Sequence, residues 1–443
     1  MTGRGYGTPG GGPRRIAGYA AVMHVSFRAR SILVPALGAL LLLSSGPLAS
    51  GAPKKKQKPG VPDKEMQKAI DEAVERGAEW LRKHQSASGQ LGVVKHGGTA
   101  YYGIGSTALG GLALLAAGDE QGDEVLDKAM AYCRKKDEEG SGARTTYDAG
   151  TVLMFAHKYF GHPEGKKPKK KRGPAGPANP LGMPEDALGW IRSLANFLLD
   201  QQKQETGDWG YPQNRPDFSN TQYALLGLRA AKDSGIAIAP GVWLRVLDRA
   251  MDAQQKDGPK VKRTIVPEEE GGTVYVVESD DRSRGWPYTA DSNVATGSMT
   301  TAGIAILAIA HDGLVNPRKF PSYKPSRQLE VAQAVQDGFA WLEANFAVDK
   351  NPGSMAPNWH YYYLYGLERA GVLGGRDLLG QHDWYIEGAK YLLQAQKSDG
   401  RWASGALGTA EYEASDILDT AWAILFLKRA THPLDSPMPV VTK

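Results

Sequence analysis

The chain has 443 residues, a formal net charge of +5 and one cysteine, Cys133, which excludes an internal disulfide and any zinc site built from several thiolates. The basic excess comes from two segments: residues 1–60 hold nine Lys and Arg without an acid, and residues 166–172 hold six more. The remaining 38 basic and 48 acidic residues give the body a charge of about −10, which argues against a nucleic-acid partner.

The first 60 residues have the composition of an export signal followed by a Lys-rich tail. Arg28 and Arg30 precede an apolar run over 32–43, and small residues follow up to Ala52. The run is shorter than the ~20 residues of a membrane span, and this order of basic, apolar and small residues is typical of a cleaved signal peptide. We therefore expect cleavage near Ala52 and a periplasmic or extracellular location. Contact of the Lys runs with an anionic membrane surface stays open.

Six copies of one helical pattern occupy residues 61–432. In each copy a first helix ends near a Gln, a Gly-containing break follows, and a second helix begins. A repeat of this size cannot bury its apolar face alone and must stack on its neighbours. The predicted hairpins are 66–118, 125–134 with 148–159, 187–202 with 220–232, 242–255 with 299–311, 331–346 with 359–370, and 386–396 with 419–429.

Three segments depart from the repeat. Residues 163–184, rich in Lys, Pro and Gly, are predicted to be a disordered insertion, and 433–443 to be a tail. The connection 256–298 is longer than the ~15 residues usual in compact domains. Because it contains aromatic and β-branched residues and a strand-like stretch at 272–277, we expect it to be ordered.

The two helices of each hairpin differ in polarity. The second helices are apolar around nearly the whole circumference, as at 108–115, whereas charged residues surround Trp80 and Leu81 in the first helix of the first hairpin. Helices that are apolar all round are buried. The sequence therefore predicts an all-α fold in which an inner ring of second helices lies inside an outer ring of first helices.

A Gln-x3-Gly-x-Trp motif recurs where the first helices end. It is complete at Gln396, Gly400 and Trp402, has Leu91 in place of Trp after Gln85 and Gly89, has one extra residue between Gln202 and Trp209, and lacks the Trp after Gln254 and Gly258. Gly permits the turn after the helix, and a buried indole needs a hydrogen-bond acceptor such as a Gln carbonyl. The motif thus predicts a staple between outer helices.

The same motif is found in squalene–hopene cyclases. Together with the six hairpins, it makes the chain resemble the terpene cyclase/protein prenyltransferase α/α-toroid superfamily over residues ~65–432, and above all the prenyltransferase and squalene-oxidase repeat proteins. The resemblance implies an (α/α)6 toroid with a central cavity. It does not fix the reaction, because one fold hosts several chemistries.

The chain departs from the site pattern of each enzyme branch in this superfamily. The Asp-x-Asp-Asp acid motif of the cyclases has its nearest match at Glu278, Asp280 and Asp281, with Glu in the first position. The prenyltransferase zinc ligands are missing, because Cys133 lies outside the matching region, and the thioester motif Gly-Cys-Gly-Glu-Gln is absent. The nine His lack metal-ligand spacing, so we expect neither a metal nor a cofactor.

In a toroid of this kind the first turns of the inner helices surround one mouth of the cavity. The aligned positions there are Thr107, Asp148, Thr221, Thr300, His360 and Thr420. Thr and Asp are preferred N-caps, so capping is the main interpretation of the four Thr and an alternative to ligand binding for Asp148.

The catalytic candidates are His360 with Tyr361, and the pair Asp416 and Asp419. The two acids are three residues apart, on one face if helical, and paired carboxylates can divide the roles of acid and base. Aromatic side chains with polar tips suit stacking on sugars or the wall of a lipid pocket. The ligand-binding candidates are Trp359, Tyr362, Asp148, Trp286 and Trp209, and the last two, with Tyr288 and Tyr211, lie on connections where they could rim the mouth.

The leading hypothesis is an exported toroid protein that binds an apolar or glycan ligand in its central cavity. The alternatives are a carbohydrate-active hydrolase or lyase, an isoprenoid cyclase, and a scaffold that binds another protein. An enzyme requires the His and the acids to converge within about 5 Å, a binding protein requires an aromatic pocket, and a scaffold predicts a cavity plugged by its own side chains.

Overall fold

The computed structural model describes residues 58–92, 95–96, 99–100, 104–140, 145–161, 179–211, 215–265, 275–315, 320–354, 359–404 and 412–439. The predicted signal peptide and residues 163–178 of the Lys-rich insertion lie outside these ranges. Within them, no helix is long and apolar enough to cross a bilayer.

Twelve helices and two short antiparallel hairpins make up the described secondary structure. The helices are α1 (Lys64–Lys83), α2 (Gly105–Ala117), α3 (Glu124–Glu138), α4 (Thr146–Phe160), α5 (Glu185–Gln201), α6 (Phe218–Asp233), α7 (Pro240–Ala253), α8 (Gly297–Leu314), α9 (Pro325–Ala344), α10 (His360–Leu373), α11 (Trp384–Ala395) and α12 (Tyr412–Leu427). The strands are β1 (Lys95–His96), β2 (Thr99–Ala100), β3 (Lys260–Ile265) and β4 (Tyr275–Arg282), and β1 pairs with β2 and β3 with β4.

The even-numbered helices form a closed ring. Each packs on the next, from α2 through α4, α6, α8 and α10 to α12, and α12 packs back on α2. The odd-numbered helices lie outside it: α1 packs on α12 and α2, α5 on α4 and α6, and α11 on α10 and α12. The predicted (α/α)6 toroid, with its inner and outer rings, is confirmed.

Burial explains which helices form the inner ring. In α8 every residue from Gly297 to His311 is buried, because neighbours surround this helix on all sides. In α1 the buried residues form one stripe, and charged residues cover the rest. The apolar circumference of the second helices is therefore the property that places them inside.

The Gln-Gly-Trp motif joins consecutive outer helices. The Gln202 side-chain amide donates to the carbonyl oxygens of Gly207 (2.9 Å) and of Val242 (3.0 Å) in α7. The Gln396 amide donates in the same way to Gly400 and to Ala73, both at 2.8 Å, and so ties the last outer helix to the first. The predicted staple is confirmed.

The partner of the indole differs from the expectation. Trp209 donates its indole N–H to the backbone carbonyl of Leu198 at 2.7 Å, and Trp402 donates to that of Leu392 at 2.8 Å. The acceptor is thus the carbonyl four residues before the Gln, inside the preceding helix, because the Gln amide already binds the next helix.

The fourth repeat also has its Trp, which the sequence pattern hides. Trp286 donates to the Ala250 carbonyl at 2.7 Å, and the Gln254 amide donates to Arg284 and Ala334. The long connection separates Gln254 from its Trp, which explains the apparent gap in the motif. Gly303 makes room for this indole, since a Cβ there would lie 2.2 Å from the ring.

The long connection contains the hairpin of β3 and β4, and its residues 266–274 lie outside the described residues. Strand β4 includes part of the predicted stretch 272–277 and pairs with β3. The hairpin packs on the outer helix α9, where Gln333 donates to the Asp281 carboxylate at 3.0 Å. Asp281, one of the three acids that resemble the cyclase motif, therefore lies against the outer ring.

Candidate functional site

The two ends of the ring are distinct because the inner helices are parallel. Their first turns meet at one end, where the Gly105 N–H donates to the Asp148 carboxylate at 2.7 Å. Their last turns meet at the other end, where His157 Nδ1 lies 2.9 Å from Ser234 Oγ. We call the first end the mouth and the second the closed end.

The chain following α12 crosses the closed end. We call residues 430–439 the tail. Arg229 of α6 donates to the carbonyls of His432 (3.0 Å) and Pro433 (2.8 Å), and Asp312 of α8 accepts the Ser436 N–H at 3.0 Å. On α10, the buried carboxyl of Glu368 accepts the backbone N–H of Thr431 at 3.1 Å and its hydroxyl at 2.6 Å. Burial raises the pKa of Glu368 to about 7.

Side chains from opposite helices meet on the ring axis. Trp422 of α12 donates its indole N–H to the hydroxyl of Tyr223 on α6 at 3.3 Å, although these helices stand three places apart in the ring. Tyr362 of α10 lies between them, with its ring 5.4 Å from Trp422 and 6.2 Å from Tyr223. The protein's own aromatic side chains therefore occupy the axis at this level, which is the feature expected of a scaffold and not of a protein with a ligand in its central cavity.

An arginine lies deeper in the same cluster. Arg369, one turn beyond Tyr365 on α10, is 1% exposed. Its Nη2 donates to Gln222 Oε1 at 3.0 Å, and its guanidinium stands 4.1 Å from the centre of the Tyr365 ring. We call Gln222, Tyr223, Tyr365, Arg369 and Trp422 the axial cluster.

Aromatic side chains remain exposed at the mouth. Trp359, at the start of α10, is 41% exposed, and Tyr211 and Tyr288, on the connections before α6 and α8, are 38% and 46% exposed. Trp359 packs edge-on to Tyr362 at 6.3 Å, and Tyr211 lies 5.8 Å from Tyr147 of α4. The backbone of Trp359 is left-handed, with φ of 65°, a strained conformation for a bulky residue.

Polar groups lie beneath these aromatics. Ser219 Oγ is 2.5 Å from the Tyr362 hydroxyl and also hydrogen-bonds the Tyr147 hydroxyl. Asp217 caps α6 by accepting the Asn220 N–H at 2.7 Å. Burial raises the pKa of Asp217, and hydrogen bonds from Asn220 and Tyr288 limit the rise.

The structure brings Tyr361 near the predicted acid pair. Asp416 and Asp419 lie inside α12, and Asp419 accepts the Ser404 N–H at 2.7 Å. Burial raises the pKa of Asp419 to about 7, and the charge of Asp416 adds to the rise, whereas Asp416 itself lies 3.1 Å from Arg401 Nε. The charges of both acids also raise the pKa of Tyr361, after burial. This pair holds two carboxyls in different environments, as acid–base chemistry requires.

His360 does not join them. Its Nε2 lies 2.7 Å from the Val348 carbonyl, and its ring packs edge-on to Tyr391 of the outer helix α11 at 4.9 Å. Burial lowers its pKa, so the neutral form is favoured. The imidazole faces the outer ring, and the convergence of His and acids expected of an enzyme is therefore not formed by this residue.

Three of the predicted ligand-binding residues lie in structural positions. Trp209 and Trp286 have no exposed surface, so the expectation that they rim the mouth is wrong, and their indoles belong to the staples. Asp148 forms a capping box with Thr145 and also binds the start of α2. Of the five candidates, Trp359 is exposed at the mouth, and Tyr362 is buried and packs against it.

The four aligned threonines do not cap their helices, contrary to the expectation. The inner helices begin before them, and the caps of α6 and α8 are Asp217 and Thr296. Instead, their hydroxyls accept backbone N–H groups of the preceding connections at 3.0–3.2 Å: Thr107 from Leu91, Thr221 from Trp209, Thr300 from Trp286 and Thr420 from Trp402. These four threonines therefore fix the staples onto the inner ring.

Sequence reasoning missed Tyr147, Ser219, Gln222 and Arg369. The available signal was a polar side chain inside an otherwise apolar, buried helix. Tyr362, Tyr365 and Arg369 follow one another at spacings of three and four, which marks one face of α10. Among the described residues, no group of three or more His, Cys, Asp or Glu could hold a metal ion.

No protein-family model matches the chain. The chain is similar to lanosterol synthase erg7A of Aspergillus fumigatus, with 25% identity over 153 residues, or 32% of this chain and 18% of the synthase. It thus spans less than a fifth of that relative's length.

Two kinds of solved structure are similar to this one. An inactive variant of the alpha-1,6-mannanase GH76A of Salegentibacter sp. HEL1_6, in complex with alpha-1,6-mannotriose, has 10% identity and a TM-score of 0.49, covering 82% of this chain and 99% of that chain. The type II terpene cyclase MstE of Scytonema has 13% identity and a TM-score of 0.32, covering 83% and 98%. The closed double ring is itself the architecture of the terpene cyclase-like α/α toroids, and the resemblance is confirmed at this level.

Proposed function

We propose that the protein binds a carbohydrate at the mouth of the ring, in front of the axial cluster. The observation that carries this proposal is the exposure of Trp359, Tyr211 and Tyr288 around hydroxyl and carboxylate groups. Aromatic faces stack on the apolar faces of sugar rings, while their polar edges and the groups beneath them hydrogen-bond to hydroxyls.

The filled axis favours binding at the mouth over binding deep in the ring. A long prenyl chain would need an apolar channel, and at the level of Tyr223 and Trp422 the axis holds side chains instead. Export, through the predicted signal peptide, is part of this proposal, because an extracellular protein meets polymeric glycans.

Hydrolysis of the bound glycan is the second candidate function. It is favoured by the Asp416 and Asp419 pair, which lies inside α12, the inner helix beside α10, with the pKa of Asp419 raised to about 7. Near neutral pH such a carboxyl can donate a proton, and the second carboxyl, that of Asp416, lies 3.1 Å from Arg401 Nε.

The test is isothermal titration calorimetry of the full-length mature protein, with α-1,6-mannotriose and with geraniol as the two ligands. We expect mannotriose to bind, and Trp359→Ala to weaken binding about tenfold, or about 1.4 kcal/mol. Leu329→Ala is the matched control, because Leu329 is an apolar residue on the outer helix α9 that is 49% exposed. It should leave the affinity unchanged.

The other outcomes separate the alternatives. Binding of geraniol alone would overturn the proposal in favour of an apolar ligand, and binding of neither probe would favour the scaffold. Mannose released by the wild type but not by Asp419→Asn would establish the hydrolase. Intact mannotriose after prolonged incubation would remove this candidate for that glycan.

A further inference from the structure

A chain of hydrogen bonds runs from the axial cluster to the mouth. Arg369 donates to Gln222, the Gln222 amide hydrogen-bonds the Tyr362 hydroxyl, Tyr362 bonds Ser219, and Ser219 bonds Tyr147. All but Tyr147 are buried, and Tyr147 is half-buried at the mouth. The chain therefore has a buried inner end at Arg369 and an outer end, Tyr147, that keeps part of its surface exposed.

The inner end sets the direction of every bond. A guanidinium can only donate, so Gln222 must turn its carbonyl toward Arg369 and its NH2 group toward Tyr362. Tyr362 accepts that bond, and Ser219 is the remaining partner for its own hydrogen. Were Ser219 the donor, the buried Tyr362 O–H would lack an acceptor, which costs more than a hydrogen bond contributes.

The direction propagates outward. Since Ser219 accepts from Tyr362, its hydrogen goes to Tyr147, whose oxygen accepts it. The hydrogen of Tyr147 is then left over. Within the described residues, Ser219 is the hydrogen-bond partner of the Tyr147 hydroxyl, so this hydrogen has no acceptor there and is left for a ligand at the mouth.

We infer that Arg369 acts through Gln222, Tyr362 and Ser219 to make Tyr147 a dedicated hydrogen-bond donor at the mouth, which selects a ligand bearing an acceptor without a hydrogen. In a glycan such acceptors are the acetal oxygens, a carboxylate or an acetamido carbonyl. Arg369 and Gln222 are positioning residues, and Tyr147 is the one that meets the ligand. The inference rests on the proposed function only in that the mouth admits a ligand.

Gln222→Glu is the decisive variant because it keeps the shape and reverses the chain. A carboxylate beside Arg369 stays ionised and can only accept. Tyr362 would then donate to it, Ser219 to Tyr362, and Tyr147 to Ser219. Tyr147 would present a lone pair to the mouth in place of a hydrogen.

The probes are two neutral aromatics, pyridine N-oxide, which only accepts, and pyrrole, which only donates. Dissociation constants come from ligand-observed NMR titrations. We expect the wild type to favour pyridine N-oxide, and Gln222→Glu to weaken it and strengthen pyrrole, each by about 2- to 10-fold, the range for one neutral hydrogen bond. In a Tyr147→Phe background, Gln222→Glu should change neither probe.

Three results would overturn the inference: both probes shifting in the same direction, no shift at all, or a reversal that persists in Tyr147→Phe. Should Gln222→Glu fail to fold in thermal unfolding, Ser219→Ala breaks the chain without changing charge. It frees Tyr147 to act in either direction, so the preference should fall toward parity, and an unchanged preference would contradict the inference. These probes are not sugars, so the result stands apart from the mannotriose titration.

Discussion

The two ends of the ring are built from opposite kinds of surface. At the closed end the tail satisfies buried polar groups on α6, α8 and α10. At the mouth, aromatic side chains stay in solvent above a polar floor. The tail gives the closed end a role in stability, and the exposed aromatic surface is what supports the proposal that the mouth binds a ligand.

Removal of the tail should have the largest effect on stability. Deleting residues 431–443 takes away both donors to Glu368 and the acceptors of Arg229. Buried charged groups without partners are costly, so we expect the free energy of unfolding to fall by about 3–5 kcal/mol. Urea denaturation measures it. Unchanged stability would show that the tail only lies on the surface.

The buried acid at the closed end should give a pH-dependent effect of intermediate size. Burial raises the pKa of Glu368 from 4.5 to about 7, so the folded state favours the protonated form. The associated stability is fully present below pH 4.5 and is lost as the pH rises through 7. The free energy of unfolding of Glu368→Gln, taken relative to that of the wild type, should therefore rise by about 3 kcal/mol as the pH is raised from 5 to 8.

A second buried carboxyl, that of Asp419 on α12, is the comparison for this measurement. Asp419 also has its pKa raised to about 7, so Asp419→Asn should show a gain of the same sign over the same pH range. Equal stability differences at pH 5 and pH 8 for Glu368→Gln would contradict the assignment of a buried, raised carboxyl at the closed end.

The smallest expected effect concerns two residues with a left-handed backbone conformation, one at each end of the ring. Among the described residues other than glycine, Trp359 and Arg429 have positive φ, 65° and 47°. Trp359→Gly relieves strain at the mouth, and the free energy of unfolding should stay the same or rise by up to about 1 kcal/mol. Arg429 binds the Gly60 carbonyl at 3.2 Å and lies over Tyr385, so Arg429→Gly should lower stability by about 1–2 kcal/mol.

Thermal unfolding of both variants tests this difference. If Trp359→Gly lost as much stability as Arg429→Gly, the exposed indole would be a packing residue, and the separation of roles between the ends would fail. A gain in stability accompanied by weaker mannotriose binding would be the pattern of a strained functional residue.

The fold could be predicted from the sequence because ring, hairpins and staples depend on periodicity. The site could be predicted only in part, because it depends on which way each residue faces. His360 and Tyr362 are two positions apart on α10, about 200° around the helix. One packs toward Tyr391 in the outer ring and the other reaches Ser219 across the axis.

The staples show the same limit. Trp209 and Trp359 both lie on connections that lead into an inner helix, yet the first is fully buried and the second exposed. A Trp that belongs to the Gln motif donates its indole N–H to a carbonyl of the preceding helix, whereas Trp359 does not belong to such a motif. Membership in the motif was thus a better guide to burial than residue type.

The bond between the last and first outer helices has a consequence for how the chain acquires its structure. Gln396 and Ala73 are 323 residues apart, and α2 finds its neighbour α12 only at the far end of the sequence. Contacts between such distant segments form slowly, and during synthesis the first hairpin must wait with an apolar flank uncovered. The final hairpin therefore completes the ring by covering the apolar flank of the first. A nascent chain that stops before this hairpin would expose that flank to chaperones or to other copies of itself.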